Sequence, residues 1–411
     1  MFFLYNFLGT VLSFLLRFVA LFSSKIELFL HGRKDLFKLL KKRIDPNDKI
    51  IWIHAASLGE YEQGLPVLEL LKQEYPSHKY LISFFSPSGF EVKKDSHEAD
   101  YITYIPLDTK KNTKRYLDTV NPVLAVFIKY EIWPNMLQQL SKREIPSILI
   151  SSIFNKKQTY FKWYGGFMRN ALFKFEHIFV QNLESRALLN AIGYNEVTIS
   201  GDTRFDRVSK ILSQKNKLDY LDTFKKDTFC FVMGSTWKED EELLIPYING
   251  NDSNVSFIIA PHKISKDHLR HLSEKITKNT QLLSEYIQTR TEKTEVLLID
   301  SIGLLTKIYG YADLAYVGGG FATGLHNTLE PAVFGIPVLV GPRYHGFKEA
   351  EDLVKLGGII SISSYKELSK TADTFVKDNE YCNKIGHINA SYVQNKTGAS
   401  VQIVTHIRKL L

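Results

Sequence analysis

The sequence predicts two doubly wound α/β domains, each a parallel sheet covered on both faces, behind an apolar N-terminal helix. Three observations predict it. Short apolar runs rich in β-branched and aromatic residues alternate with stretches of helical periodicity over residues 50–180, and the same rhythm restarts at 229 and continues to 340. Alternation of this kind builds parallel sheets with crossover helices. Between the two regions, residues 200–226 lose the rhythm and become charged, which marks a boundary. The length, 411 residues, exceeds what one core usually holds.

Residues 1–16 carry no charged side chain and are dense in Phe and Leu; Arg17 interrupts, and 18–22 continue the apolar run. A spanning helix needs roughly 20 mostly apolar residues, so this one reaches the length only if Arg17 snorkels. It reads equally as a helix lying in the interface, while the plain alternative is a first buried helix of the domain. No basic n-region or small-residue cleavage site marks it as a removed signal peptide. Lys25, Arg33, Lys34, Lys38, Lys41, Lys42 and Arg43 follow. If the helix spans, that bias keeps the rest of the chain cytoplasmic; if it lies flat, the same charges meet anionic head groups.

Strands are then expected at 50–54, 79–85, 101–105, 123–128, 146–151 and 177–180, with helices such as 62–74 and 134–143 between them. The second domain restarts with strands at 229–233, 255–260, 295–299, 314–317 and 336–340. The expected layout is a membrane anchor helix (1–24), a first domain (25–210), a second (211–385) and a C-terminal helix (386–411). In doubly wound sheets, ligands sit at the carboxyl ends of the strands. The net charge of +8 suits an anionic membrane or an anionic substrate. No helix-turn-helix, zinc finger or aromatic-basic motif supports nucleic acid. Two distant cysteines, Cys230 and Cys382, form neither a disulfide framework nor a metal pattern and fit a reducing setting.

Residues 317–344 read V-G-G-G-F-A-T-G-L-H-N-T-L-E-P-A-V-F-G-I-P-V-L-V-G-P-R-Y. An apolar strand runs into glycines, and a helix is expected from about His326. Gly318, Gly319, Gly320 and Gly324 let backbone amides approach a ligand, and a helix start favours an anion. Glu330, one turn inside, can grip a ribose diol, with Asn327 beside it. That suits a nucleotide or nucleotide-sugar phosphate; the plain alternative is an αβ turn whose glycines serve packing. Ser235 and Thr236 follow Gly234 at the end of the second domain's first strand, where they suit a phosphate or an ordinary N-cap. His262 and Lys263 follow the next strand in A-P-H-K.

In the first domain, Glu60 follows a strand and the loop A-S-L-G. A carboxylate there can act as a general base, more effectively if burial raises its pKa, or can simply favour the helix dipole. Gly59 leaves the approach open. Glu131, in K-Y-E-I-W-P-N, ends another strand, and Arg204, in G-D-T-R-F-D, lies at the junction, where it can meet an acid group or pair with Asp202 or Asp206.

Four segments in order, W-I-H-A-A-S-L-G-E (52–60), Y-E-I-W-P-N (130–135), G-D-T-R-F-D (201–206) and the glycine-rich stretch, resemble the GT-B glycosyltransferases, and within them the 3-deoxy-D-manno-octulosonic acid (Kdo) transferases of lipid A biosynthesis. The resemblance covers about residues 50–360. It implies a GT-B fold, two Rossmann-like domains facing across a cleft with the C-terminal helix crossing back to the first; 401–411 has the periodicity for that. It implies transfer of Kdo from CMP-Kdo to a lipid A precursor, with inversion, at the cytoplasmic face of the inner membrane. It assigns Glu60 as the base, and places Ser235, Thr236, His262, Lys263, Gly318, Gly319, Gly320, Gly324, Asn327 and Glu330 on the donor side, and Gly59, Glu131 and Arg204 at the acceptor or junction. The family carries an Arg-His pair after the proline where this chain has Pro261-His262-Lys263, so His262 matches either member and Lys263 supplies the other charge. The chain has no Asp-x-Asp and no His/Cys metal spacing, and a nucleoside monophosphate leaving group carries less charge than a diphosphate; a metal-independent reaction without cofactor is expected. The alternatives are another GT-B enzyme, such as a lipid A disaccharide synthase or a nucleotide-sugar epimerase, and a catalytically inactive, membrane-tethered binding protein. The first segment argues against the former, and the presence of Glu60 and Glu330 against the latter.

Overall fold

The apolar runs close into two seven-stranded sheets, parallel throughout. The computed structural model describes residues 1–322 and 324–411; Thr323, inside the glycine-rich stretch, lies outside the described residues. The chain divides into one unit of Met1–Arg207 with Thr397–Leu411, and a second of Val208–Lys396. The boundary falls inside the helix Thr203–Ile211, three residues before the expected position. The expected single C-terminal element is two helices: Asn379–Gln394 belongs to the second unit and Ala399–Ile407 to the first.

The first unit's strands are β1 (Ile50–Ala55), β2 (Lys79–Phe84), β3 (Tyr101–Tyr104), β4 (Leu124–Ile128), β5 (Ser147–Ser152), β6 (His177–Val180) and β7 (Val197–Ile199), in the order β3-β2-β1-β4-β5-β6-β7. Side chains alternate across the pleat. Trp52 and Phe127 therefore enter one core with Tyr116 and Leu137, while Ile51, Ile53 and Val126 enter the other with Val67 and Leu71 of the helix Leu58–Glu74. Ile403, Val404 and Ile407 of the C-terminal helix complete that second core, each contributing roughly 1.5–3 kcal/mol of burial. Asp206 caps this helix, accepting from the N–H of Gly398 (2.5 Å) and Ser400 (2.7 Å). The last residue of G-D-T-R-F-D thus fastens the returning segment.

The helix Phe2–Val19 buries none of its residues and is apolar enough to qualify as a span by length and composition. Its first turns hydrogen-bond to the rest of the unit. The Tyr5 hydroxyl donates to Asp108 (2.9 Å), the Lys110 N–H donates to Asn6 (2.8 Å), and Asn135 donates to the Asn6 Oδ1 (3.2 Å). Asp108 also accepts from the N–H groups of Asn135 and Met136, both 2.9 Å.

The second unit's strands are β8 (Phe229–Thr236), β9 (Val255–Pro261), β10 (Thr280–Leu282), β11 (Val296–Leu298), β12 (Leu314–Val317), β13 (Val338–Val340) and β14 (Ile359–Ser361), in the order β10-β11-β9-β8-β12-β13-β14. Each sheet has one point where successive crossovers depart in opposite directions, between β1 and β4 in the first and between β8 and β12 in the second. That is where doubly wound sheets open a crevice for ligands.

Candidate functional site

At the carboxyl ends of β1 and β4, Glu60 stands at the third position of the helix Leu58–Glu74, with Ser57 as N-cap. Its Oε2 accepts the Ala56 N–H at 2.5 Å. Burial pushes the Glu60 carboxyl above the ordinary range and the Glu131 carboxylate pushes it further; the Ala56 N–H, Lys129 and His54 pull the other way. Burial and the Glu60 charge likewise raise the Tyr130 phenol. A side chain at Gly59 would meet nothing within 4 Å, so the approach beside Glu60 is open within this unit.

Glu131 is held from below. His54, wholly buried on β1, places Nε2 2.9 Å from Glu131 Oε2, and Trp133 Nε1–H donates to the same oxygen at 2.9 Å. His54 Nδ1 lies 2.8 Å from Ser83 Oγ, which in turn accepts from Trp52 Nε1–H at 2.8 Å. With Glu131 ionised, Nε2 must carry a hydrogen, because a bare lone pair cannot face a carboxylate. Nδ1 faces both the Ser83 hydroxyl (2.8 Å) and the Ser83 carbonyl oxygen (3.0 Å), so the line Trp52–Ser83–His54–Glu131 is continuous. It presents a fixed negative charge to Glu60. Nothing in the spacing of W-I-H-A-A-S-L-G-E and Y-E-I-W-P-N, 77 residues from His54 to Glu131, discloses this pair. Arg204 forms an ion pair with Asp202 at 2.8 Å, which is one of the two roles open to it in the sequence.

The second constellation lies at the carboxyl ends of β8, β9 and β12, and here the structure corrects several expectations. The helix expected from His326 is only the four residues Leu329–Ala332, too short for aligned peptides to build a strong dipole. Glu330 is its second residue, and accepts from Thr306 (2.9 Å) and Asn327 (3.1 Å). The amides of three of the four glycines are already committed: Gly318 N–H donates to Gly234 O (2.9 Å), Gly319 N–H to Asp240 Oδ2 (2.9 Å) and Gly324 N–H to Gly319 O (3.1 Å). What these glycines provide is close approach. A Cβ at Gly318 would stand 2.3 Å from Ser235 O, and one at Gly320 2.7 Å from Gly341 Cα. Gly324, at φ +129°, lies where only glycine is at ease.

Strand β8 runs on through Thr236, so neither Ser235 nor Thr236 caps the next helix, Lys238–Gly250. Trp237 is its N-cap, and Asp240 reaches back to the Trp237 N–H at 2.9 Å. The Thr236 hydroxyl is spent on Glu241 (3.0 Å). Sequence reasoning missed the ring cluster that results. Trp237 stacks on His262 (centroids 4.4 Å, interplanar 20°), and His262 packs against His326 (4.6 Å). Trp237 Nε1–H donates to His326 Nε2 at 2.9 Å. Burial, then the neighbouring His262, lowers the His326 pKa, which keeps that nitrogen an acceptor. Lys263 Nζ lies 5.3 Å from the Trp237 ring centre, and the His262 side chain is exposed. The three rings and the lysine form an aromatic, cationic ledge at the switch point. The available signal was a Trp directly after G-S-T and a His inside G-L-H-N. Among the described residues, no three His, Cys, Asp or Glu side chains converge as a metal site.

Comparison with known proteins bears on both constellations. Residues 31–207 match the family model described as 3-deoxy-D-manno-octulosonic-acid transferase (kdotransferase). The chain is 25% identical over 97% of its length to the 3-deoxy-D-manno-octulosonic acid transferase of Haemophilus influenzae, covering 95% of that protein. It is 28% identical over 78% of its length to the enzyme of the same name from Aquifex aeolicus, covering 86% of it. Among solved structures, UDP-GlcNAc 2-epimerase from Neisseria meningitidis superposes with a TM-score of 0.62 at 16% identity, covering 88% of this chain and 99% of that one. MurG from Acinetobacter baumannii does so with a TM-score of 0.53 at 12% identity, over 88% and 99%. At such identities these two carry the fold alone, which is GT-B.

Proposed function

We propose that the chain is a Kdo transferase of the GT-B glycosyltransferases, a reading its similarity to the Kdo transferases supports, and that it moves Kdo from CMP-Kdo to the lipid A precursor, lipid IVA, with inversion. Glu60 takes the proton of the acceptor hydroxyl as that oxygen bonds to the anomeric carbon; the bond from that carbon to the CMP phosphate oxygen breaks, and CMP leaves with the electron pair. The observation that carries the reading is the Glu60 carboxyl at the β1/β4 switch point, raised by burial and by Glu131. A base works best with a pKa near the working pH, and a buried carboxylate beside a fixed negative charge approaches it. On the donor side, Lys263 and the exposed His262 supply positive charge and N–H donors for a phosphate or carboxylate, and Glu330 keeps lone pairs for a ribose diol beyond those that Thr306 and Asn327 use. The leaving nucleoside monophosphate carries less charge to neutralise than a diphosphate, so we read the reaction as metal-independent.

In this reading the enzyme works on the cytoplasmic face of the inner membrane, and the apolar helix Phe2–Val19 supports the attachment. A spanning helix would carry Tyr5 and Asn6 to the far side. Their bonds to Asp108 and Lys110 favour a helix lying in the interface. The test is product mass after incubation with CMP-Kdo, lipid IVA and a chelator, for the wild type and Glu60→Gln. A mass gain of one or more Kdo units from the wild type supports the reading, and Glu60→Gln should lower the rate by ~10² to 10⁴. No product from the wild type, or near-normal turnover by the variant, overturns the transfer or the base assignment respectively.

A further inference from the structure

The loop of residues 155–165 carries an aromatic and basic protrusion. Trp163 is 93% exposed and Tyr164 58% exposed, in a molecule whose other tryptophans are buried or half-buried. The two rings pack edge to face at 5.6 Å. The loop is not loosely held. Arg169 donates to Tyr160 O (2.9 Å) and Lys162 O (3.0 Å), and Gly165 approaches the Thr159 carbonyl so closely that a Cβ would stand 1.8 Å from its oxygen. Phe167, just beyond, packs against Phe2 (5.0 Å) and Tyr5 (5.3 Å), so the protrusion adjoins the exposed apolar N-terminal helix. Lys156, Lys157 and Lys162 flank the rings, and no acidic residue lies between Glu144 and Glu176. Among the described residues none of these three lysines forms an ion pair.

We propose that this loop is a second membrane contact, seating Trp163 and Tyr164 among the head groups of an anionic bilayer beside the N-terminal helix. Tryptophan and tyrosine are enriched at that depth because one end of each ring system is apolar and the other hydrogen-bonds. The lysines add attraction to an anionic surface. A lipid surface fits better than a folded partner because the apolar helix continues the same face and the charge is of one sign. The inference rests on the membrane reading above and adds to it a second, rigid attachment that fixes the rotation of the body about the helix.

The full chain is mixed with vesicles of phosphatidylethanolamine and phosphatidylglycerol doped with phosphatidylcholine brominated near the head of its acyl chains, and tryptophan fluorescence is followed. Bromine quenches only indole at membrane depth, and Trp52 is buried inside a sheet. Wild-type fluorescence should be quenched, and Trp163→Phe, whose melting temperature should be unchanged, should lose most of the quenching while still floating with the vesicles. Replacing Lys156, Lys157 and Lys162 by Ala should lower partitioning at low salt about 100-fold, from about 1 kcal/mol per lysine. Flotation with equal quenching in the wild type and Trp163→Phe, or with Trp163 still open to iodide, overturns the loop contact alone. A wild type that does not float overturns the membrane reading together with it.

Discussion

Replacing Glu131 tests the site at its electrostatic centre. Glu131 Oε2 accepts two ring N–H donors, from His54 and Trp133, both at 2.9 Å, and its charge is the second cause, after burial, of the raised Glu60 pKa. Glu131→Gln keeps an acceptor oxygen for both donors but removes the charge. Charge-assisted bonds contribute about 1.5–3 kcal/mol and neutral ones about 0.5–1.5, so the change costs about 1 kcal/mol per bond, roughly 2 in all. Glu131→Ala instead leaves both buried donors without an acceptor, at about 1–3 kcal/mol each. At roughly 2–4 °C per kcal/mol for a domain of this size, the Gln variant should melt several degrees lower and the Ala variant lower still. The kinetic sign is fixed separately. Glu60 acts as a base only above its pKa; removing the neighbouring charge lowers that pKa, so the acidic limb of kcat/KM moves to lower pH. It does not return to an ordinary carboxylate value, because burial remains. Each unit of displacement corresponds to 1.36 kcal/mol of interaction. Linkage runs the same way. A carboxyl raised in the folded state loses stability as pH climbs from its unfolded value through its folded one, and Glu131→Gln narrows that loss. The assay is kcat/KM from pH 5 to 9 beside thermal melts. An acidic limb that stays in place or moves up refutes the coupling of Glu131 to Glu60.

Other perturbations address the remaining parts. Glu330→Ala should weaken CMP binding about tenfold or more, since charge-assisted bonds to a ribose contribute roughly 1.5–3 kcal/mol each; calorimetry with CMP reads this, and unchanged affinity would leave Glu330 as the partner of Thr306 and Asn327 only. Gly320→Ala should destabilise the protein by more than 1 kcal/mol, because its Cβ would lie 2.7 Å from the Gly341 backbone, which cannot rotate away as a side chain can; an unchanged melting temperature refutes this. Removing residues 1–22 should leave the chain folded, as the helix Phe2–Val19 buries none of its residues. The truncated form should leave liposomes more completely at high salt, where screening removes the attraction of the basic residues. An unfolded truncation would make the helix part of the core.

The two parallel-sheet units were legible in the sequence, because a central strand is buried on both faces and so reads as an apolar run: Leu124–Ile128 and Leu314–Val317 are buried throughout, as is Ile50–Ala55, where His54 alone interrupts. The sequence did not disclose β7, β10 and β14. These three-residue edge strands, V-T-I, T-Q-L and I-I-S, are mostly half-buried and too short to show any periodicity. It placed Glu60 and the glycine-rich stretch at strand ends, since local order along the chain is what a strand–turn–helix unit records. It misjudged the helix after the glycines, where the chain turns through Gly324 and Asn327 before a single helical turn. Which strand ends meet is set by the pairing of strands distant in the chain. Glu131 reaches His54 because β4 pairs with β1, and Trp237 reaches His326 because β12 pairs with β8. Asp206 reaches Gly398 because the C-terminal helix returns to the first sheet. Periodicity reports whether a residue is buried; it carries no record of the residue it is buried against, and the chemistry of these sites lies in those partners.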